Sequence, residues 1–345
     1  MVIVLCVGPM KLPIATLMAS PLFIAAACGG KPTATAPIAA PVQSSAPATP
    51  VSAPAANTSV AAAPSSAVPA VPAPPKPVLR ITEGLSTPES VLYDSVNDRY
   101  LVSNINGSPT AVDGNGYIVE VSPEGKITQA KFIAGGAKNV KLDAPKGLGI
   151  VKGTLYVADI SVVRKFDVKT GAPQGEIKIP NATFLNDIAV SADNKIYVSD
   201  SGLKMGKDGL EPNGTDAIYM IDKGKVHTVA QSKDLGNPNG LIVVGNDLVV
   251  VTFGSGEAYK LSEKGAKVQA TKLPEGGLDG VVSLGDELLI SSWKSSSVFR
   301  GKLGGKFEVA IPGLKAPADI GYDTKRKRLL VPHFLDSTVE VFELQ

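Results

Sequence analysis

The sequence predicts an all-β fold, a six-bladed β-propeller, from one repeated pattern. A four-residue frame, interpreted as a turn that leads into an apolar strand, occurs six times, and a polar turn and a second apolar strand follow each copy. The frames are residues 88–91, 145–148, 185–188, 238–241, 278–281 and 317–320. They begin 57, 40, 53, 40 and 39 residues apart, which is the period expected of four-stranded blades. Helical periodicity is absent.

The first of three predicted parts, residues 1–28, is a lipoprotein-type signal peptide. Lys11 is its only charge, and it ends in Ala-Ala-Ala-Cys, which resembles the lipobox of bacterial lipoproteins, with Cys28 as the lipid carrier. Met10 is a second candidate for the start of translation. The alternative is an uncleaved anchor, because translation from Met1 gives an apolar run long enough to span a bilayer. The short apolar core favours the lipoprotein.

Residues 29–77 are predicted to form a disordered linker. They consist mainly of Ala, Pro, Ser, Thr and Val and hold 12 of the 27 prolines, a composition that cannot form a core. The linker would tether residues 78–345, the propeller, to a membrane through the lipid at Cys28 alone. We therefore expect an exported protein of the bacterial cell envelope.

Charge and cysteine content exclude two classes of function. Residues 1–77 hold three lysines and no acidic residue, which leaves 31 basic and 32 acidic residues in the propeller. This balance gives no electrostatic basis for binding nucleic acid. Cys6 and Cys28 both precede the repeats, so the propeller has neither a disulfide nor a catalytic thiol.

Two features complete the predicted propeller. The last repeat supplies only three strands, and an open blade would expose an edge, so residues 78–82 are predicted to close the ring as its outer strand. The two long intervals place extra residues, 104–116 and 201–215, between the second and third strands of their blades. Both insertions should overhang the face that carries the frames.

Four frames carry an oxygen-bearing side chain at their second position: Glu89, Asn186, Asn239 and Asp279. The innermost strands of a propeller converge on its axis, so these side chains can meet around one divalent cation, for which calcium fits best because it accepts many oxygen ligands. The alternative is that Asn-Gly and Asp-Gly are turn formers that tolerate φ > 0. Glu89 is a poor turn former, which favours the metal.

Further residues are candidates for substrate contact or proton transfer. We align Lys146 and Asp319 with the second position of the remaining two frames. Lys146 would lie in solvent, in an ion pair or against an anionic substrate group, and Asp319 would be a ligand, a base or a turn residue. His333 ends a second strand and suits a general base, although a structural role is the alternative. Asp200 and Trp293 would line the mouth.

The ligand pattern resembles the SMP-30/gluconolactonase family, which includes regucalcin-like proteins and is related to paraoxonase-like lactonases. The resemblance covers residues 78–345. It implies a six-bladed propeller with one axial divalent ion, commonly calcium, held by the four residues that match the family's Glu, Asn-Asp, Asn-Gly and Asp-Gly motifs. Phe184 stands where sugar-lactone members usually carry Arg, and Ile188 where they carry Gly, which weakens the expected recognition of sugar lactones.

Two functions remain open. In the first, the protein is a metal-dependent hydrolase of a small lactone or ester, in which the ion polarises the carbonyl and Asp279, Asp319 or His333 activates water. In the second, it is a non-catalytic propeller that binds a ligand or protein and uses the metal only to join its blades. The intact ligand set favours the first, and the missing arginine favours the second.

Lipidation is tested most directly by metabolic labelling. Radiolabelled palmitate should enter the wild-type protein but not Cys28→Ala, because the lipid is attached to that sulfur. Cys6→Ala is the matched control and should keep its label. Label that persists in Cys28→Ala would contradict the lipoprotein interpretation.

Overall fold

The computed structural model describes residues 75–137 and 139–344, so the predicted signal peptide, Cys28 and nearly all of the predicted linker lie outside the described residues. The described part forms six four-stranded antiparallel sheets, the blades of the predicted propeller, and one additional hairpin. Within residues 75–137 and 139–344, no helix is both long and apolar enough to cross a membrane.

The first three blades follow the order of the chain from the innermost strand outward. Blade 1 consists of β2 (Pro88–Asp94), β3 (Arg99–Asn104), β4 (Tyr117–Val121) and β5 (Ile127–Ala134). Blade 2 consists of β6 (Pro145–Val151), β7 (Thr154–Asp159), β8 (Val162–Asp167) and β9 (Pro173–Lys178). Blade 3 consists of β10 (Leu185–Val190), β11 (Ile196–Asp200), β14 (Ala217–Asp222) and β15 (Lys225–Gln231). The extra hairpin is β12 (Leu203–Gly206) and β13 (Gly209–Pro212).

The remaining blades repeat this arrangement. A 3-10 turn, Lys233–Leu235, precedes blade 4. Blade 4 consists of β16 (Pro238–Val244), β17 (Asp247–Thr252), β18 (Glu257–Leu261) and β19 (Lys267–Lys272). Blade 5 consists of β20 (Leu278–Leu284), β21 (Glu287–Ser292), β22 (Ser297–Gly301) and β23 (Phe307–Pro312). Blade 6 consists of β24 (Gly321–Asp323), β25 (Arg328–His333), β26 (Thr338–Glu343) and β1 (Leu79–Ile81).

The predicted closure of the ring is confirmed. Strand β1 pairs antiparallel with β26, with Leu79 opposite Val341, and the Val78 amide donates to the Val341 carbonyl at 2.7 Å. Ile81 is 4% exposed and packs in the cluster that joins blade 6 to blade 1. The N-terminal strand of the propeller is therefore the outer strand of its last blade.

The frames are not turns, contrary to the prediction. In blades 1–5 each frame is the beginning of the innermost strand and contains a β-bulge. In blade 1, Pro88 lies opposite Asn104 and Val91 opposite Val102, so Glu89 and Ser90 share one partner position. The same register shift occurs in β6, β10, β16 and β20. Bulges redirect side chains within a strand, and here they lie at the candidate metal ligands.

The glycines of the Asn-Gly and Asp-Gly pairs are required by a close approach of neighbouring blades. A Cβ on Gly240 would lie 2.2 Å from the Asp279 carbonyl oxygen, and one on Gly280 would lie 2.2 Å from the Ile320 amide nitrogen. Among the described residues with positive φ, neither these glycines nor Asn239 and Asp279 occur. The alternative that these pairs are φ > 0 turn formers is therefore wrong.

The apolar core lies between neighbouring blades. Leu101 of blade 1, for example, packs in one cluster with Leu148, Leu155 and Phe166 of blade 2. Both predicted insertions lie where expected, as the segment 105–116 between β3 and β4 and as the segment 201–216, which contains β12 and β13.

Ring closure can be tested with two truncations. Removal of residues through Pro77 should leave the free energy of unfolding nearly unchanged, because no strand is lost. Removal through Glu83 deletes β1, so the loss of buried Ile81 and of ladder hydrogen bonds should cost about 3 kcal/mol or more and promote aggregation at the exposed edge. Denaturant unfolding measures both. Equal stability of the two truncations would contradict a closing role for β1.

Candidate functional site

A small cavity of about 90 Å³ lies where the innermost strands begin. Two groups of residues line it. The polar set comes from the frames and consists of Glu89, Lys146, Asn186, Asn239 and Asp279. The apolar rim comes mainly from the loops and consists of Ile105, Pro109, Phe184, Leu203, Leu210, Phe253, Trp293 and Phe334. The structure thus brings together all four residues that the sequence predicts as metal ligands.

Each of these four residues has one buried side-chain oxygen that finds no hydrogen-bond partner among the described residues. The atoms are Glu89 Oε2, Asn186 Oδ1, Asn239 Oδ1 and Asp279 Oδ1. Buried polar atoms in proteins are nearly always bonded, and each one left unsatisfied costs free energy. Four such oxygens in one cavity indicate a site shaped for a group that is a Lewis acid or a hydrogen-bond donor.

Hydrogen bonds with neighbouring residues determine which oxygens remain free. Ser201 Oγ donates its single proton to the Pro238 carbonyl at 2.7 Å, so it can only accept from Asn186 Nδ2, at 3.0 Å. This bond identifies the amide nitrogen of Asn186 and leaves Oδ1 free. At Asp279, the donor-only indole of Trp293 bonds Oδ2 at 2.7 Å and leaves Oδ1 free.

Serines on the second strands hold the bulged frames. Ser103, Ser199 and Ser291 stand opposite the bulges and accept hydrogen bonds from the backbone N–H groups of the third frame residues, at 3.0, 2.9 and 2.8 Å respectively. Ser199 also donates to the Asn239 carbonyl of the next blade at 2.6 Å. These contacts fix both the bulge and the spacing between neighbouring frames.

Buried carboxyl groups are concentrated around the axis. Burial, followed by the charge of Asp279, raises the pKa of Glu89 well above its usual value. Burial likewise raises the pKa of Asp279 to about 7 and that of Asp187 to about 6. The two Asp187 oxygens accept hydrogen bonds from the Ile188 and Leu241 amides, both at 2.6 Å, and these bonds favour the ionised form of the carboxyl group. The buried carboxylates favour a positive charge in this region.

The described residues contain no cluster of three or more His, Cys, Asp and Glu side chains suited to a metal. The polar set has only two carboxylates, and its other two oxygens belong to amides. Calcium accepts amide oxygens as well as carboxylates, so a set of two and two fits it. A zinc site would need His or Cys ligands, which the polar set does not contain.

Lys146 is buried in the cavity wall, not in solvent as one prediction had it. Its side chain is 1% exposed, and Nζ donates to the Ala144 carbonyl at 3.1 Å and lies 4.5 Å from the centre of the Phe184 ring. Among the described carboxylates, none forms an ion pair with it within 4.0 Å. Burial lowers its pKa. Two of its three N–H donors are therefore available to a ligand.

His333 and Asp200, predicted as a base and a substrate contact, do not line the cavity. His333 Nδ1 accepts from the Lys315 amide at 3.2 Å, its Nε2 faces Glu340, and burial lowers its pKa. Asp200 accepts from the Thr183 and Phe184 amides at 2.9 and 3.0 Å. Both side chains hold the segment that enters their own blade. These two predictions are corrected to structural roles.

Asp319 is also misplaced in the sequence alignment. The second position of the sixth frame is Ala318, whereas Asp319 is at the third position, beside Ser90 of blade 1. Its carboxylate accepts a hydrogen bond from the Ser90 hydroxyl and lines a second cavity, of about 220 Å³, that also includes Asp187. Asp319 therefore does not contact the cavity that holds the polar set.

Most of the apolar rim was not identified from the sequence. Ile105, Phe253, Trp293 and Phe334 each follow the last residue of a second strand, one position beyond Asn104, Thr252, Ser292 and His333. Trp293 contacts both phenylalanines, with ring centres 5.7 and 5.2 Å apart. Because side chains alternate between the faces of a strand, the residue that follows each second strand points to the cavity, and the last residue of the strand points away. Trp293, which was predicted to line the mouth, does line it.

No protein-family model and no curated protein matches the sequence. Among solved structures, the chain is similar to a gluconolactonase from Xanthomonas campestris, with a TM-score of 0.58, 17% identity and coverage of 80% of this chain and 96% of that one. A putative gluconolactonase gives a TM-score of 0.57, 14% identity and coverage of 76% and 91%. An inactive variant of virginiamycin B lyase from Staphylococcus aureus, solved with quinupristin, gives a TM-score of 0.53, 14% identity and coverage of 77% of this chain and 98% of that one.

These TM-scores, at identities of 14–17%, show a shared fold. The predicted resemblance to gluconolactonase propellers is therefore confirmed at the level of the six-bladed architecture.

Proposed function

We propose that the protein is a metal-dependent hydrolase of a small lactone or ester, with one calcium ion bound by Glu89, Asn186, Asn239 and Asp279. The observation that carries the proposal is the set of four partnerless buried oxygens, one on each of these residues, around a single cavity. The fold shared with gluconolactonases makes lactone chemistry the first reaction to test.

Calcium is preferred over other ions for two reasons. It takes six to eight oxygen ligands, so four protein oxygens leave positions for water and substrate. Magnesium usually keeps several waters and relies on one or two carboxylates, which fits a set of four converging side chains less well. The two buried carboxylates would balance the double charge of the ion, which favours their ionised forms despite burial.

A bound divalent ion would polarise the substrate carbonyl and stabilise negative charge that develops on its oxygen. Side chains of the protein would carry out the remaining steps. Asp279 is one of the two carboxylates at the cavity. We assign it the proton of the attacking water, which it then passes to the alkoxide oxygen released when the ester bond breaks. The Trp293 indole holds Asp279 Oδ2 in a fixed orientation. The Lys146 ammonium group has two free donors with which it can bind the carboxylate formed by ring opening.

Export and lipidation at Cys28 belong to the same proposal, supported by the signal-like sequence and the linker. The runner-up is a non-catalytic binding propeller with a structural metal. It is favoured by one observation, that His333 and Asp319 both lie away from the cavity and leave Asp279 as the only acid-base group of the original three.

The metal site can be tested by calorimetry and thermal unfolding of the full-length protein. Calcium at a thousandfold excess over Kd should stabilise it by about 4 kcal/mol, or about 10 °C in a domain of this size. Glu89→Gln and Asp279→Asn should weaken binding more than Asn239→Ala, because each removes a charge. Asn115→Ala is the matched control: Asn115 Oδ1 is also buried without a partner but lies outside the cavity, so affinity should not change.

The same preparations then test catalysis with a panel of lactones and aryl esters. Calcium-dependent turnover that a chelator abolishes would support the hydrolase. Calcium binding without turnover on any substrate would favour the binding propeller. A melting temperature that does not respond to calcium or chelator, with no binding heat, would contradict the metal site and the hydrolase together.

A further inference from the structure

The apolar rim indicates the class of substrate, an inference that rests on the proposed hydrolase function. We infer that the site takes lactones or esters with apolar substituents and discriminates against polyhydroxylated sugar lactones. The substrate class would therefore differ from the one that the names of the gluconolactonase neighbours suggest.

The lining residues offer few partners to a sugar. All eight rim residues are apolar or aromatic, and the one polar group of the rim, the Trp293 indole N–H, already bonds Asp279. In the polar set, four oxygens face the proposed ion, which leaves the Lys146 ammonium group, the Asn239 amide nitrogen and Glu89 Oε1 as the groups that could meet sugar hydroxyls. Each sugar hydroxyl that is desolvated without a partner should cost about tenfold in affinity or more.

The β12–β13 hairpin extends this apolar surface over the mouth. Leu203 pairs with Pro212 and Met205 with Leu210, so these four side chains share one face of the hairpin. Lys204 and Glu211 pair on the opposite face and form an ion pair at 3.4 Å. Leu203 and Leu210 line the cavity, so the apolar face is the one turned towards it.

The cavity and hairpin together suggest how such a substrate would bind. The cavity volume of about 90 Å³ accommodates the reacting ester group next to the polar set. An alkyl substituent would continue along the rim towards Leu210 and Met205, which are 42% and 48% exposed and gain burial when covered. Apolar surface that is exposed beside a cavity is a common feature of ligand-binding sites.

Full-length protein with saturating calcium should be assayed on δ-valerolactone, δ-octalactone, δ-decalactone and δ-gluconolactone. We expect kcat/KM to rise about fourfold for each added methylene until the chain extends beyond Met205. The gluconolactone value should be about 100-fold or more below that of δ-decalactone, because at least two of its hydroxyls would be buried unpaired.

Two neighbouring hairpin variants give a matched comparison. Leu210→Ser removes apolar surface at the rim and should reduce kcat/KM for δ-decalactone about tenfold more than for δ-valerolactone. Glu211→Ser lies on the opposite face of the same strand and should leave both values unchanged. Both residues are exposed, so neither substitution should affect folding.

Failure of this inference is distinguishable from failure of the hydrolase. Hydrolysis of gluconolactone at least as fast as δ-decalactone, or no dependence on chain length, would overturn the substrate class and leave the hydrolase standing. If no lactone is hydrolysed, fluorescence of Trp293, the only tryptophan in the chain, reports binding in the cavity. A response to δ-decalactone but not to gluconolactone would then support the apolar site, and no response to either would overturn it.

Discussion

The close approach of the innermost strands is the constraint on which the site depends. At the third frame position in blades 4 and 5 there is no room for a Cβ, because the backbone of the next frame lies 2.2 Å from where it would stand. The preceding residue is redirected by the bulge towards the cavity, which brings Asn239 and Asp279 together with Glu89 and Asn186. The close approach of the innermost strands therefore determines both the packing of the blades and the positions of the four candidate ligands.

This convergence has an electrostatic consequence. It buries carboxylates next to one another, and burial raises the pKa values of Glu89, Asp279 and Asp187. Lys146 is the single cationic side chain among the lining residues of the cavity. A divalent cation would supply the missing positive charge and would give partners to oxygens that otherwise have none. Serines on the second strands and the Trp293 indole hold these oxygens in place before any ligand binds.

Much of this organisation could be predicted from the sequence. The blade period and the second frame position repeat, and the last repeat lacks a fourth strand, which indicates how the ring closes. What could not be predicted depends on single-residue offsets. Asp319 lies one position after the frame residue with which it was aligned, and His333 precedes Phe334, which faces the cavity, since neighbouring side chains in a strand point to opposite sides. Asp200 instead accepts hydrogen bonds from the backbone that enters its blade. The bulges were read as turns because Asn-Gly and Asp-Gly suit both, and only the approach of the next blade distinguishes them.

The central claim, that four converging oxygens bind one calcium ion, is tested most directly by a crystal structure of the protein grown with calcium and measured for anomalous scattering. The account predicts a single axial peak about 2.3–2.6 Å from Glu89 Oε2, Asn186 Oδ1, Asn239 Oδ1 and Asp279 Oδ1. A calcium-saturated crystal with only water among these atoms, or with the amide nitrogens turned towards the cavity, would contradict it.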